Sequence, residues 1–504
     1  MKLAGSSTRS LRSRRSVLTD KAVSYKCDRE YENIQEFEVC FPDLCRKYGF
    51  PWSVYVKKET VRDEYLDNQN LSKPKGKLKQ KDKNHPPSLN STRDTATTAS
   101  TEFQLDEDTL VITSLYDNCN RFVELFLHKL DEIPPELIKL IGFLARYYTD
   151  LKRIKIQFCR IDANTIFELS KLFSLSSLTE VDLDGSIATA GNYGILLDNS
   201  RVINISLSKC RINDPVCEII ASKLCFQGPA ERTLCSLNLS SNHITDTGAK
   251  YLSNALRSNR TLRYLNLADN RITDEGACGI LESLKEFPLT REESLNKKQR
   301  YMDYEKQRLA YYFKYLEDFD KQHIEEIHRG KSSERSKSMS SRKSSRPSTA
   351  RPQKERKDIK VFTFDDYKTR AEMLAGEMMG PFHDPYQFNN VKIRDEKCYS
   401  IGNLTLCYLN LAFNNLSYHS VVKLLDVLQY QKDTKRQGQI GLMRVILKGN
   451  DIPISCAEYI KIDEMLNKCM MTSGGRAFTE FSAKRKSRLS RVSMIPEKVL
   501  LSPR

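Results

Sequence analysis

An α/β solenoid is the fold class this sequence predicts: parallel inner strands and outer helices, interrupted by a long helical and disordered insertion and flanked by disordered basic tails. Three observations predict it. First, two segments 28 residues apart share one template, L-x-x-L-x-L-x-x-N-x-I: Leu234 to Ile244 reads LCSLNLSSNHI, and Leu262 to Ile272 reads LRYLNLADNRI. Second, each runs into a helical pattern, TDTGAKYLSNAL and TDEGACGILESL, with Ala249, Leu252, Ala255 and Leu256 at helical spacing. Third, one strand plus one helix cannot bury its own apolar face, so copies at a fixed period must stack to make a core.

Residues 1–26 are basic and poor in apolar side chains, which predicts disorder. Residues 27–56 gather Tyr31, Phe37, Phe41, Tyr48, Phe50, Trp52 and Tyr55. That aromatic density predicts a small element packed on the solenoid, with a docking motif for a partner as the alternative. Residues 57–104 hold KPKGKLKQKDK and a Ser/Thr-rich stretch and read as linker. Residues 105–150 are expected to cap the first open core face. Within them IPPELIKLIGFL faintly resembles the start of an F-box, but a first repeat beginning at Leu151 leaves too little chain for that domain.

Residues 151–287 carry five repeats. They begin at Leu151 (LKRIKIQFCRI), Leu178 (LTEVDLDGSIA, degenerate), Val202 (VINISLSKCRI), Leu234 and Leu262. Residues 401–470 carry two more, at Leu406 (LCYLNLAFNNL) and Leu442 (LMRVILKGNDI), and a C-terminal cap. In each, three leucine-type residues such as Leu234, Leu237 and Leu239 point into a shared core, and the last two alternate as in a short strand. The Asn at the ninth place (Asn242, Asn270, Asn414, Asn450) turns the chain, and its amide can bond the backbone of the next coil. Gly248 and Gly276 are placed just before the helices. The two repeat blocks are expected to stack on one another, because two repeats alone would expose their core faces.

Residues 288–400 form the insertion. Residues 291–329 contain no Pro or Gly, and Leu295, Met302, Leu309 and Leu316 recur every seven residues beside Tyr312 and Phe319. A long helix is predicted there. Lys298 and Glu305 break the second stripe, so a complete coiled-coil seam is not expected. The helix is read as lying on the solenoid flank, with pairing to a partner helix as the alternative. Residues 330–358 are Ser/Arg/Lys-rich and predicted disordered, as is the basic tail 471–504. Ser16, Ser345, Ser487 and Ser493 follow basic residues, as basophilic kinase sites do, though so many Arg-Ser pairs produce chance matches.

These motifs resemble the leucine-rich repeat superfamily in its ribonuclease-inhibitor-like class, over roughly residues 151–287 and 401–456. Cys159 and Cys210 stand where that superfamily often exchanges Asn for Cys. More narrowly, LNLADNRITDEGACGILESL running into FPLTREE, then a charged insertion, then LNLAFNNLS and LKGNDI, resembles a family of such proteins from ciliated and flagellated cells. That resemblance implies a non-enzymatic protein of the axoneme. Activators of the Ran GTPase share the repeat class but carry an acidic tail, whereas this chain ends in basic residues.

Composition excludes several classes. The apolar stretches fall far short of the roughly 18–20 residues that span a bilayer, so no membrane role is expected. No secretory signal is read in the basic, Ser-rich start. The 14 cysteines contain no C-x-x-C pair, so neither a zinc ribbon nor a disulfide framework is expected; reduced thiols in a cytoplasmic or nuclear setting are. There is no phosphate-binding glycine loop, zinc-protease motif or nucleophile elbow. His243, His419, His323 and His328 lack supporting ligands. No catalytic residue, metal or cofactor is predicted.

The predicted function is therefore protein binding. In such a solenoid the residues between the strand leucines face the concave surface: Arg153, Lys155 and Gln157; Glu180, Asp182 and Asp184; Asn204 and Ser206; Ser236 and Asn238; Tyr264 and Asn266; Tyr408 and Asn410; Arg444, Ile446 and Lys448. Tyr and Arg are typical interface anchors, although strand-surface positions must be polar anyway. The basic segments suit an acidic partner such as tubulin tails. The alternative is a nuclear or nucleic-acid-associated adaptor using AKRKSRLSR at 483–491. That reading is disfavoured because no base-stacking or nucleic-acid fold accompanies the charge. The net charge of +16 is uneven: segments 1–26, 73–83, 329–360 and 472–504 carry +6, +5, +9 and +6, leaving −10 for everything else.

Overall fold

The computed structural model describes residues 36–60, 109–188, 191–198, 201–337, 364–434, 439–453 and 455–472. The expectations for 1–26, for most of the linker 57–104, for 338–358 and for 473–504 lie outside the described residues.

The fold is mixed α/β, with one ten-stranded sheet and a layer of helices. The chain begins with α1 (Phe37–Lys47) and β1 (Ser53–Thr60), then β2 (Thr109–Tyr116), β3 (Phe122–His128) and α2 (Pro135–Ala145). β1 pairs parallel with β2, and β2 forms an antiparallel hairpin with β3. Residues 36–56 of the aromatic segment are thus built into the fold. Phe37 and Phe41 are fully buried and stack at 5.0 Å, and Phe37 meets Phe122 at 4.9 Å. The segment that resembled an F-box start is α2, whose Leu137, Ile138, Ile141 and Leu144 cover the first repeat.

The repeats follow as β4 (Arg153–Gln157), β5 (Arg160–Ile161), α3 (Ala163–Leu175), β6 (Glu180–Asp182), β7 (Ile187–Ala188), β8 (Asn204–Ser206), α4 (Asp214–Leu224), β9 (Ser236–Asn238), α5 (Asp246–Ser258), β10 (Tyr264–Asn266) and α6 (Asp274–Ser283). In the degenerate second repeat a 3-10 turn, Tyr193–Leu197, replaces the helix. The insertion holds β11 (Phe287–Pro288), α7 (Arg291–Lys337), α8 (Phe364–Met379), β12 (Val391–Arg394) and β13 (Lys397–Ser400). The last repeats are β14 (Tyr408–Asn410), α9 (Tyr418–Thr434), β15 (Arg444–Ile446) and α10 (Ala457–Thr472). β3, β4, β6, β8, β9, β10, β14 and β15 are parallel neighbours in that order.

β10 pairs directly with β14, so the two repeat blocks share one sheet across the insertion. The insertion leaves and returns at one point, because β11 and β13 pair antiparallel with Phe287 opposite Ser400. Its long helix runs to Lys337, beyond the predicted end at 329 and into the segment read as disordered. Helix α8 and the β12–β13 hairpin were not expected from the sequence.

From the repeat at Val202 onward, two side-chain ladders tie neighbouring repeats together. The buried Asn270 donates to the carbonyls of Leu239 and Leu267 and accepts from the Ile244 N–H. Asn242, Asn414 and Asn450 repeat this arrangement. The amide therefore ties to the preceding coil, not the next as expected. At Cys210 the thiol takes this place and donates to the Leu183 carbonyl. Burial pushes the Cys210 thiol well up and the Cys217 thiol up to about 12, so both stay protonated.

The second ladder lies at the helix starts. Asp246, the first residue of α5, accepts from the Thr273 N–H (2.7 Å), the Thr273 hydroxyl (2.7 Å) and the Gly276 N–H (3.0 Å) of the next repeat. Asp214 serves Thr245 and Gly248 in the same way. Asp274 crosses the insertion to Ser417 and Ser420. This corrects the placing of Gly248 and Gly276: they lie inside the first turns of α5 and α6, where a Cβ would stand 2.6 and 2.5 Å from the aspartate oxygen.

Candidate protein-binding face

Each repeat strand turns its leucines to the core and its intervening residues to the opposite face. Leu237, Leu265 and Leu409 are fully buried in the core. The strand register aligns the opposite face into rows. One row runs Glu124, Arg153, Glu180, Asn204, Ser236, Tyr264, Tyr408, Arg444. The next runs Phe126, Lys155, Asp182, Ser206, Asn238, Asn266, Asn410, Ile446. Lys448 follows β15 and is exposed, as is Arg444. Every residue predicted for the binding face is therefore on these rows or beside them.

Their surroundings differ. At the N-terminal end Arg153 bridges Glu124 (2.8 Å) and Glu180 (2.6 Å), and Lys155 also pairs with Glu124. Burial works against the Arg153 charge, but the two carboxylates outweigh it. Gln157 donates to Asp182 at 2.8 Å, and Asp184 accepts from the Ser206 hydroxyl and the Ser208 N–H. Burial, reinforced by the charge of Asp182, pushes the Asp184 carboxyl up to about 6.

The middle of the face has a structural task. The side chains of Asp182, Asn238, Asn266 and Asn410 each accept from the N–H two residues on, at Asp184, Ser240, Ala268 and Ala412. These are Asx turns that end the strands, and Asp182, Asn266 and Asn410 are buried. At the far end Tyr264 and Tyr408 stack at 4.1 Å. Tyr408 is buried, while Tyr264 is half-buried. The accessible part of the predicted set is thus Arg153, Lys155, Glu180, Asn204, Asn238, Tyr264, Arg444 and Lys448.

The strand ends add two aromatics that sequence reasoning missed. Phe158 (φ +57°) and Phe413 (φ +55°) sit in the left-handed region and are 51% and 46% exposed. Each ring occupies the space where the next repeat has Gly185 or Gly449. The available signal was an aromatic matched to a glycine at the same repeat position one coil later.

A cavity lies where the insertion meets the repeats. It is a cleft of about 350 Å³ lined by Arg260, Arg263, Glu231, Asp384, Leu404 and Ile440 among others. The two carboxylates offset the two guanidinium groups, so no net charge marks it as an ion site. Among the described residues, no group of three or more His, Cys, Asp or Glu could hold a metal, and no helix is long and apolar enough to cross a membrane.

Residues 231–253 and 258–280 match the family described as Leucine Rich repeat. These two matches take in β9 and β10 and run into α5 and α6, and they support membership of the leucine-rich repeat superfamily. No curated protein matches the chain.

Proposed function

We propose that the chain is a non-enzymatic scaffold or adaptor that binds a protein partner on the sheet face opposite its helices. The observation that carries this reading is the alignment of Arg153, Lys155, Glu180, Asn204, Tyr264 and Arg444 in continuous rows across the strands. Charged groups at both ends flank an aromatic pair, the residue types that anchor interfaces. The repeat match supports it, since leucine-rich repeats are typically protein-interaction modules. Tagged full-length chain with crosslinking mass spectrometry would identify the partner. Tyr264→Ala and Arg444→Glu should each weaken that partner's binding by roughly tenfold or more. Lys171→Glu, on the helical side, should leave it unchanged. Equal binding by all three variants would overturn the face assignment.

The proposed setting is the axoneme of cilia or flagella. Its support is the resemblance of LNLADNRITDEGACGILESL, FPLTREE and the later LNLAFNNLS to leucine-rich repeat-containing protein 71. There the basic segments at 1–26, 73–83 and 472–504 would meet acidic tubulin tails. Localisation of the tagged chain in ciliated cells tests this, and exclusive nuclear staining would favour the nucleic-acid-associated alternative.

A further inference from the structure

The cleft between the repeats and the insertion contains a guanidinium group with no carboxylate of its own. Arg260 lines this cleft from the loop between α5 and β10. Its Nη1 donates to the Leu256 and Asn259 carbonyls at 3.3 and 2.8 Å. Its Nη2 is buried and, among the described residues, has no hydrogen-bond partner. A buried guanidinium needs acceptors for its donors and a negative charge to offset its own. Burial pushes the Arg260 pKa down to about 10, and the nearby Asp384 and Glu293 only partly offset that.

The neighbouring carboxylates are engaged elsewhere. Asp384 accepts from Arg300 at 2.6 Å on one oxygen and from the Tyr386 N–H at 2.8 Å on the other. One oxygen of Glu293 accepts from Arg257 at 2.8 Å and from the Tyr386 hydroxyl at 2.9 Å. The other accepts from Arg257 and from the Thr290 N–H, each at 2.7 Å. Glu231, also on the cleft wall, accepts from the Gln227 N–H at 3.3 Å. Arg257, Arg260 and Arg300 thus lie around two carboxylates, and Arg260 is the one left over. The formal charges of the lining residues cancel, so pairing marks the site where net charge does not. The group that fits a surplus guanidinium is an oxyanion, carboxylate or phosphate. The cleft, about 350 Å³, has room for a small molecule around that group. Ser258, Thr405 and His383 add polar wall, and Phe226 and Leu404 add apolar wall.

We infer that this cleft binds the phosphate or carboxylate group of a small molecule, with Arg260 supplying the countercharge between a repeat loop and residues 383–390 of the insertion. The test follows the thermal midpoint of the full-length chain at constant ionic strength, titrated with inorganic phosphate and, separately, with acetate. A saturable rise is expected, roughly 5 °C at a hundredfold excess over Kd. A rise with phosphate alone assigns a phosphate group, and a rise with acetate assigns a carboxylate. Arg260→Gln removes an uncompensated buried charge. The Leu256 and Asn259 carbonyls keep the Asn403 amide as a donor, at 3.0 Å each. In anion-free buffer the midpoint of this variant should therefore equal or exceed that of the parent. The saturable rise should vanish in Arg260→Gln and persist in Arg271→Gln, which changes an exposed arginine away from the cleft. No saturable rise with either anion, an equal rise in Arg260→Gln, or a lowered midpoint of that variant in anion-free buffer would each overturn the inference.

Discussion

At the scale of single residues, the face of this sheet shows polar side chains serving two purposes. Asn266 and Asn410 look like free strand-surface amides in the sequence, yet both are buried and close turns. Asp184 is the opposite case, a carboxylate held where ionisation is costly. Its folded pKa of about 6 lies above the model-peptide value of about 3.9. The folded state therefore holds the proton more tightly than the unfolded chain between those values, and stability from this group falls as pH rises from 4 through 6. Asp184→Asn keeps an acceptor for Ser206 and Ser208 and removes the charge. Its thermal midpoint should exceed that of the parent at pH 7 and converge with it near pH 4. A parent-like midpoint at pH 7 would argue against a strained carboxylate.

At the scale of elements, the seven repeat strands were legible because three apolar positions recur at one spacing, in four of them with an Asn. Leu234, Leu237, Leu239 and Asn242 carry that signal without tertiary information. The aspartate ladder was harder to see, since its partners sit about 30 residues apart, or more than 140 across the insertion, and only the spacing T-D-x-G at Asp246 and Asp274 betrays them. The helices α5, α6 and α9 depend on it for register. Asp246→Ala strips acceptors from the Thr273 N–H and hydroxyl and from the Gly276 N–H, and should cost about 2–3 kcal/mol. Urea denaturation should show this loss, with a smaller loss for Asp246→Asn, which keeps one acceptor. Burial opposes ionisation at Asp274, but hydrogen bonds from Ser417 and Ser420 outweigh it and hold the carboxyl below its usual range. The insertion was illegible beyond its long helix because α8 and the β12–β13 hairpin have weak internal patterns. What holds them is remote: Tyr367 of α8 packs on Phe319 of α7, β13 pairs with β11, and Lys392 of β12 bridges to Glu286 at 3.2 Å.

At the scale of the whole molecule, the ladder is continuous although the chain is not. The Ile272 N–H donates to Asn414 across 142 residues, and Gln431 donates to the Leu284 carbonyl across 147. Cleavage between residues 338 and 363 should therefore leave two fragments that copurify and retain the parent's helicity; separation on a sizing column would contradict the shared sheet. The pinch at Phe287 and Ser400 also bears on the order of assembly. Joining β10 to β14 from an open chain means closing a loop of about 140 residues, a slow, non-local event. Once β11 and β13 have met, only about thirty residues separate the same partners. The entropy left to lose at that step then falls by about 1.4 kcal/mol. An insertion that folds first would act as an internal clamp, turning the slowest contact of the ladder into a local one.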